Sequence, residues 1–205
     1  MQNNFYQCYA KRWFDLIFSL MALFVLAPLM LIVACAVKCY DQGPIFFRQT
    51  RIGHYGRPFS LIKFRSMKVG ADKEGLLVTS QGDGRITPIG KILRRSKLDE
   101  LPQLFNVIKG EMSLVGPRPE VTKYVKMFEH EYEFILKTKP GITDLAAIVF
   151  RNEELILTQY SSPEEGYVSA VLPQKIYLYQ AYLSNICFSQ DMKILLKTIW
   201  EIFKR

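Results

Sequence analysis

From Leu16 to Val37 the chain runs for 22 residues without a formal charge, LIFSLMALFVLAPLMLIVACAV. As a straight helix such a run extends roughly 33 Å, enough for the hydrocarbon core of a bilayer. No second stretch is comparable, so a polytopic membrane protein is excluded. A cleaved signal peptide fits poorly, because the run exceeds an h-region and no small-residue cleavage site precedes a mature domain. Pro28 sits near the middle, where it removes a backbone donor and bends a helix. Cations flank both ends: Lys11 and Arg12 before, then Lys38, Arg48 and Arg51 after. For a spanning helix, symmetric flanks leave orientation undecided. For a helix that enters, breaks at Pro28 and returns, they are the expected arrangement. Both readings stay open on the residues alone.

The remainder of the 205 residues is long enough for a substantial core without disulfides. Apolar residues make up 49% of the chain, with 13% aromatic, which excludes disorder. Of the four cysteines, Cys35 and Cys39 lie in or beside the hydrophobic run, while Cys8 and Cys187 are far apart. No CxxC occurs, and His54 and His130 lack zinc spacing. Reduced thiols in a cytosol-facing protein are expected.

Charge is concentrated. The net +8 arises in residues 43–110, which carry 13 Lys and Arg against five Asp and Glu. A local basic field serves nucleic acid, anionic lipid or a phosphorylated small molecule. Its place directly after a membrane segment favours the last two, and no nucleic-acid-binding motif accompanies it.

The patterning predicts a hairpin-like strand pair at 44–49 and 58–64, then a loop over 70–84. Helices are expected at Pro88–Arg95, with Gly90 a weak point, and from about Asp99 to Gly110, with Pro102 in the first turn. Residues 113–119, SLVGPRP, are expected as an extended turn, neither helix nor central strand. Further helices are predicted at 120–137, 164–185 with Pro173 a candidate kink, and 190–204. The last is amphipathic: Met192, Leu195, Ile199, Ile202 and Phe203 form a stripe opposite Lys193, Lys197, Lys204 and Arg205. Such a helix either packs with a solvated face or lies in a membrane interface. The fold class is α+β, mostly helical. The expected organisation is a membrane helix in 1–42 and a compact cytosol-facing domain in 43–205.

Chemistry gathers in residues 94–119, RRSKLDELPQLFNVIKGEMSLVGPRP. Asp99 and Glu100 precede a helix that Pro102 initiates, so one reading makes them a helix cap. Their neighbours argue for more: Arg94, Arg95 and Lys97 lie just before, and Arg118 is held between two prolines. Carboxylates with arginines suit Mg²⁺-assisted phosphoryl transfer, in which cations neutralise phosphate oxygens and a carboxylate attacks phosphorus.

The run LDELPQLFNVIKGEMSLVGPRP, with KFRSM at 63–67 and PGIT at 140–143, resembles the bacterial sugar-transferase family, the monotopic phosphoglycosyl transferases. The resemblance covers nearly the whole chain and looks like the small form of the family. It implies a re-entrant helix broken at Pro28, on the cytosolic face of the bacterial inner membrane. It implies a two-step reaction: Asp99 attacks the β-phosphorus of a UDP-sugar, releases UMP, and passes the phosphosugar to undecaprenyl phosphate. Glu100 then positions the site or manages a proton. Mg²⁺ is the implied cofactor, with Asp99 its protein ligand. Lys63, Arg65, Arg94 and Arg118 are candidate phosphate contacts, and Arg151 matches an arginine on the donor side. For Lys63 and Arg65 the alternative is strand residues facing water; for Glu153 and Glu154 it is an exposed acidic pair rather than contacts to sugar hydroxyls. The implied partners are the donor, the acceptor and membrane lipid, without nucleic acid; a homodimer stays open. Three departures stand out: Ala27-Pro28 for the usual Ser-Pro, PGITD for PGITG, and DLAAIVFRNEE for the more frequent GLAQVNGRN. The competing readings are a catalytically silent membrane scaffold and a tethered nucleic-acid binder.

Overall fold

The computed structural model describes residues 5–71, 77–80 and 82–204. A π-helical turn, Tyr6–Ala10, runs directly into helix α1, Lys11–Asp41. At 31 residues, α1 is longer than the uncharged run, and it continues through Pro28 as one element. Pro28 thus lies inside a single helical element. Pro28 has no N–H for the Phe24 carbonyl, but Ala27, Leu29 and Met30 beside it are strong helix formers. Gln42, in the left-handed conformation, ends the helix.

Both ends of α1 are tied to the rest of the protein. At its start Lys11 ion-pairs with Asp191, and Arg12 donates to the Val107 and Ile108 carbonyls at 2.6 and 2.8 Å. The Asp15 carboxylate accepts from Ser113 Oγ and Leu114 N, each at 3.0 Å. At its end Asp41 pairs with Arg65, while Met30, Val33 and Val37 pack with Phe64 and Leu93. Ser19, Leu23 and Leu29 keep one side of the helix against the protein, but the other side is bare: Phe24 is 85% exposed, and Val25, Leu31 and Ile32 are also exposed. The helix is long and apolar enough to cross a membrane, and only 17% of its most apolar window is buried within the protein. An apolar surface of this extent marks a membrane-associated protein.

Strands β1, Phe46–Ile52, and β2, Pro58–Phe64, pair antiparallel, with Phe46 opposite Phe64 and Ile52 opposite Pro58. The first strand begins two residues later than the sequence predicts. The expected loop at 70–84 lies partly outside the described residues. Helix α2, Pro88–Ser96, starts as its sequence dictates: Thr87 Oγ1 accepts from Gly90 N at 2.9 Å, and a proline occupies the first turn. Gly90 is required there, since a Cβ would lie 1.8 Å from the Ser66 carbonyl oxygen. A 3₁₀ turn, Leu98–Glu100, leads into α3, Gln103–Lys109, which Gly110 ends at a φ of 85°.

Residues Ser113–Val115 are a strand, β3, paired in parallel with β4, Gly141–Thr143. This corrects the extended turn expected over 113–119. The prolines restrict only Gly116–Pro119, leaving Ser-Leu-Val free to pair. Gly141 and Gly116 then touch so closely that a Cβ on Gly141 would meet Gly116 N at 2.1 Å. The helix expected over 120–137 is two, α4, Thr122–Met127, and α5, Glu129–Ile135, divided where Phe128 leaves helical geometry. Short helices α6, Leu145–Val149, α7, Glu153–Leu157, and α8, Pro163–Gly166, follow. A π-helical turn, Tyr167–Val171, joins α8 to α9, Leu172–Leu183, with Pro173 in the first turn of α9.

Helix α9 is the spine of the main core. Its Leu172, Ile176, Tyr179, Tyr182 and Leu183 pack with Tyr124, Tyr132, Ile135, Val115 and Phe14. The last helix, α10, Phe188–Phe203, packs through buried Asp191 and Ile194, with Met192 and Leu195 of the predicted stripe partly buried against the core, while Ile199 of that stripe is exposed. Leu196, Ile199 and Trp200 form an exposed apolar strip on it. Cys35, Cys39 and Cys187 are free thiols.

Candidate active site

Asp99 and Glu100 sit at the junction of α2 and α3. Lys97 closes α2 in the left-handed conformation, φ 59°, and this reverses the chain into the 3₁₀ turn. Leu101 and Pro102 then keep right-handed helical angles, so the path from Leu98 to Lys109 is helical throughout. Neither carboxylate caps a helix, because no side-chain cap bond forms at either start. The capping reading falls.

The two carboxylates have opposite fates. Glu100 is clamped: Arg118 Nη2 donates to its Oε1 at 2.5 Å, Nη1 to its Oε2 at 3.2 Å, and Lys63 Nζ to Oε1 at 3.1 Å. Asp99 is 6% exposed, and its Oδ1 is buried without a hydrogen-bond partner. Burial pushes the Asp99 carboxyl up, and the Glu100 charge adds to that; Lys63, Lys97 and Arg94 oppose it. Burial also pushes Glu100 up, but Arg118, Lys63 and Lys97 outweigh it and hold that carboxyl well below the usual range. Glu100 in turn raises the Arg118 guanidinium further. The result is a firmly ionised Glu100 beside a poised Asp99, a separation of roles between adjacent acids.

The other predicted residues divide. Lys63 and Arg118 meet at the dyad through Glu100. Burial lowers the Lys63 ammonium, opposed by Glu100. Arg94, in the last turn of α2, acts electrostatically on Asp99 and pairs with Glu154 of α7 at 2.5 Å. Arg65 is engaged elsewhere. Its Nε donates to the Pro44 carbonyl at 2.6 Å and both Nη atoms go to Asp41, so it fastens the end of α1 and faces neither water nor the dyad. Arg151 pairs with Glu201 of α10 at 2.9 Å and Glu153 with Lys175 at 2.5 Å. The FRNEE segment thus uses three charges to bind α10, α9 and α2, and the acidic pair is not free. Pro28 lies in α1, and its neighbours Leu29 and Met30 belong to the apolar cluster that includes Leu98 and Leu101, on either side of the dyad.

Two residues escaped sequence reasoning. Gln103 is buried one helical turn after Asp99, a spacing readable in LDELPQ once 98–109 is known to be helical. Asp144, the departure in PGITD, caps α6: its Oδ1 accepts from Ala147 N at 2.9 Å. Burial raises its carboxyl, and its charge acts on Arg118.

Mg²⁺ commonly keeps several waters and takes one or two carboxylates plus substrate phosphates. No group of three His, Cys, Asp or Glu converges among the described residues. A single carboxylate with an unpartnered oxygen, as Asp99 has, fits that habit; Glu100 is already committed. An open cleft of about 360 Å³ lined by Val149, Phe150, Pro173, Gln174, Tyr177 and Leu178 carries no carboxylate or cation. None of the charged residues around Asp99 lines it.

The chain is 36% identical over 205 residues to the exopolysaccharide production protein ExoY of Sinorhizobium fredii, covering 93% of this chain and 84% of that one. It is 35% identical over 199 residues to the UDP-N-acetylgalactosamine-undecaprenyl-phosphate N-acetylgalactosaminephosphotransferase of Aeromonas hydrophila, over 95% of this chain but 44% of that protein. To the UDP-glucose:undecaprenyl-phosphate glucose-1-phosphate transferase of Klebsiella pneumoniae it is 43% identical over 141 residues, 67% of this chain and 30% of the relative. It thus spans most of the Sinorhizobium protein and less than half of the other two. The family model for bacterial sugar transferases matches residues 6–205. A match of that extent, with the acidic dyad at the centre of the polar cluster, makes the chain a transferase and a member of the bacterial sugar transferase family.

Proposed function

We propose that this protein transfers a sugar 1-phosphate from a UDP-sugar to undecaprenyl phosphate, through a covalent intermediate on Asp99. One observation carries the reading: Asp99 is buried with an unpartnered oxygen, while Glu100 beside it is locked by Arg118 and Lys63. An Asp99 oxygen bonds to the β-phosphorus, the bond from that phosphorus to the bridging oxygen breaks, and UMP leaves with the electron pair. An oxygen of undecaprenyl phosphate then attacks the same phosphorus, and the acyl-phosphate bond breaks to restore the carboxylate. The intermediate is a mixed anhydride, reactive enough for a weakly nucleophilic phosphate. Arg94, Lys97 and Lys63 supply positive charge around Asp99, and Arg118 holds Glu100 in place. Mg²⁺, held by Asp99, would neutralise phosphate oxygens when bound.

A soluble donor and a lipid acceptor use one site in turn, so the site belongs near the membrane surface. The ties of α1 support this. Lys11 and Asp41, at opposite ends of the helix, are both ion-paired to the same polar body. A straight helix of this length measures roughly 46 Å, and in a crossing orientation it would place those ends on opposite sides of the bilayer. Ends on one side fit a re-entrant helix turning near Pro28, with the catalytic body on the cytosolic face of the inner membrane.

The test is UMP release by detergent-purified protein with Mg²⁺, undecaprenyl phosphate and a panel of UDP-sugars, beside Asp99→Asn. Release with one or a few donors, lost on substitution, is expected. Equal activity in both proteins would rule out Asp99 as the nucleophile.

A further inference from the structure

The buried polar stripe from Asp99 along α3 contains a contrast. Asn106 is fully buried and fully partnered: its Oδ1 accepts from Ile62 N at 3.1 Å, and its Nδ2 donates to the Ser60 carbonyl at 2.8 Å and Glu111 Oε2 at 2.6 Å. It locks α3 against β2. Gln103, 1% exposed, does none of this; its Nε2 is buried with no partner. An unpaired buried polar group destabilises the fold, and a leucine or methionine would avoid that. Four residues earlier the Oδ1 of Asp99 is buried and unpaired as well. The backbone bonds between them run three residues back, from Leu101 N to Leu98 and from Leu104 N to Leu101, so the two residues sit on either side of a tight 3₁₀-to-α junction. An orphan donor and an orphan carboxylate oxygen are thus buried four residues apart in one short segment.

We infer that Gln103 is a catalytic residue of the transfer, its carboxamide N–H donating to a non-bridging oxygen of the phosphoryl group under attack by Asp99. This rests on the reaction proposed above. A phosphoryl group suits both orphans at once: its oxygen accepts from Gln103, and its phosphorus takes the Asp99 oxygen. The bond changes are those already given, and Gln103 gains and loses no proton. A neutral donor also suits this position, because its approach to Asp99 leaves the carboxylate's charge unaltered. Preorganised in a site shielded from water, it stabilises charge on the phosphoryl oxygens without reorganising during the reaction.

The test compares wild type, Gln103→Met, Gln103→Glu and Asp99→Asn in steady-state UMP release, with the wild type's preferred UDP-sugar and undecaprenyl phosphate, beside thermal melting. For Gln103→Met the expected result is a kcat lower by about 10²-fold, with KM for the donor changed far less and melting unchanged or raised. A Gln103 that only fills space predicts the reverse: kcat retained by methionine, which has nearly the same volume. Gln103→Glu, of the same shape, exchanges the donor for an acceptor and should lose at least as much kcat; it decides the matter if the methionine variant fails to fold. Wild-type kcat in either folded variant overturns the inference. Activity that survives Asp99→Asn instead overturns the reaction reading, and the inference with it, and that arm is scored separately.

Discussion

Two buried aspartates, Asp191 and Asp99, show how one residue type serves opposite ends. Asp191 is 0% exposed, and both its oxygens are engaged: Tyr182 donates to Oδ1 at 2.7 Å, while Tyr6, at 2.7 Å, and Lys11 reach Oδ2. Three segments of chain, the start of α1, α9 and α10, are pinned by that carboxylate. Asp99 is nearly as buried, yet its Oδ1 has no partner and the cations around it act at a distance. Burial and charge do not separate the two. Completion of the hydrogen bonds does, because a satisfied carboxylate stabilises the fold and an unsatisfied one is held ready for something the chain lacks.

The largest effect expected from this contrast is on catalysis. Asp99→Asn should reduce UMP release by a factor on the order of 10⁴ or more, with melting temperature unchanged or raised. Next is Asp191→Ala, which strands the Lys11 ammonium and should cost about 3–5 kcal/mol of stability in chemical unfolding. A folded, stable Asp191→Ala protein would undo the comparison. So would an Asp99→Asn variant that unfolds.

The same division applies to two arginines that look alike in sequence. Arg118→Ala releases Glu100 and should lower kcat by about 10²-fold, whereas Arg65→Ala should leave kcat near wild type and cost about 1.5–3 kcal/mol of stability. If the two profiles exchange, the placement of Arg65 at the end of α1 is mistaken. Smaller still is a pH effect at that end. Arg65 holds the Asp41 carboxyl at about 2, below its ordinary 3.8. Because the folded value is depressed, the stabilisation is complete above pH 3.8 and is lost as pH falls through about 2. Melting temperature followed from pH 5 to pH 2 should therefore fall less steeply in Asp41→Asn; parallel curves would deny Asp41 that role. The smallest change belongs to Glu154→Gln, whose exposed pair with Arg94 should alter stability by no more than about 1 kcal/mol.

Much of the fold was legible because its signals are local. Pro88 after Thr87 starts α2, Gly110 stops α3, and alternating apolar residues mark β2, each through its own backbone or its nearest neighbours. Misreadings came where the deciding partner is remote. Ser113–Val115 became a strand because Gly141–Thr143, far along the chain, lies beside it. On α10 the buried centre is Asp191, reached by Lys11 and Tyr6 from the far end of the chain, while only Met192 and Leu195 of the apolar stripe pack against the core and Ile199 is exposed. What the sequence could not show about α1 is that Lys11 and Asp41, at its two ends, are both tied to remote charges, Asp191 and Arg65.

By itself the sequence determined the membrane-seeking segment, the mostly helical class, the order of the elements and the acidic dyad in its basic surroundings. These follow from composition, periodicity and turn chemistry, which act over a few residues. Only the tertiary structure decided which of the 27 Lys and Arg residues meets which carboxylate. It brought Lys63 and Arg118 to Glu100, sent Arg65 to Asp41, and left Asp99 and Gln103, four residues apart, each with a buried unpaired atom. The reason is physical: a hydrogen bond is satisfied by whatever the folded chain brings within about 3 Å, and sequence spacing does not specify that neighbour.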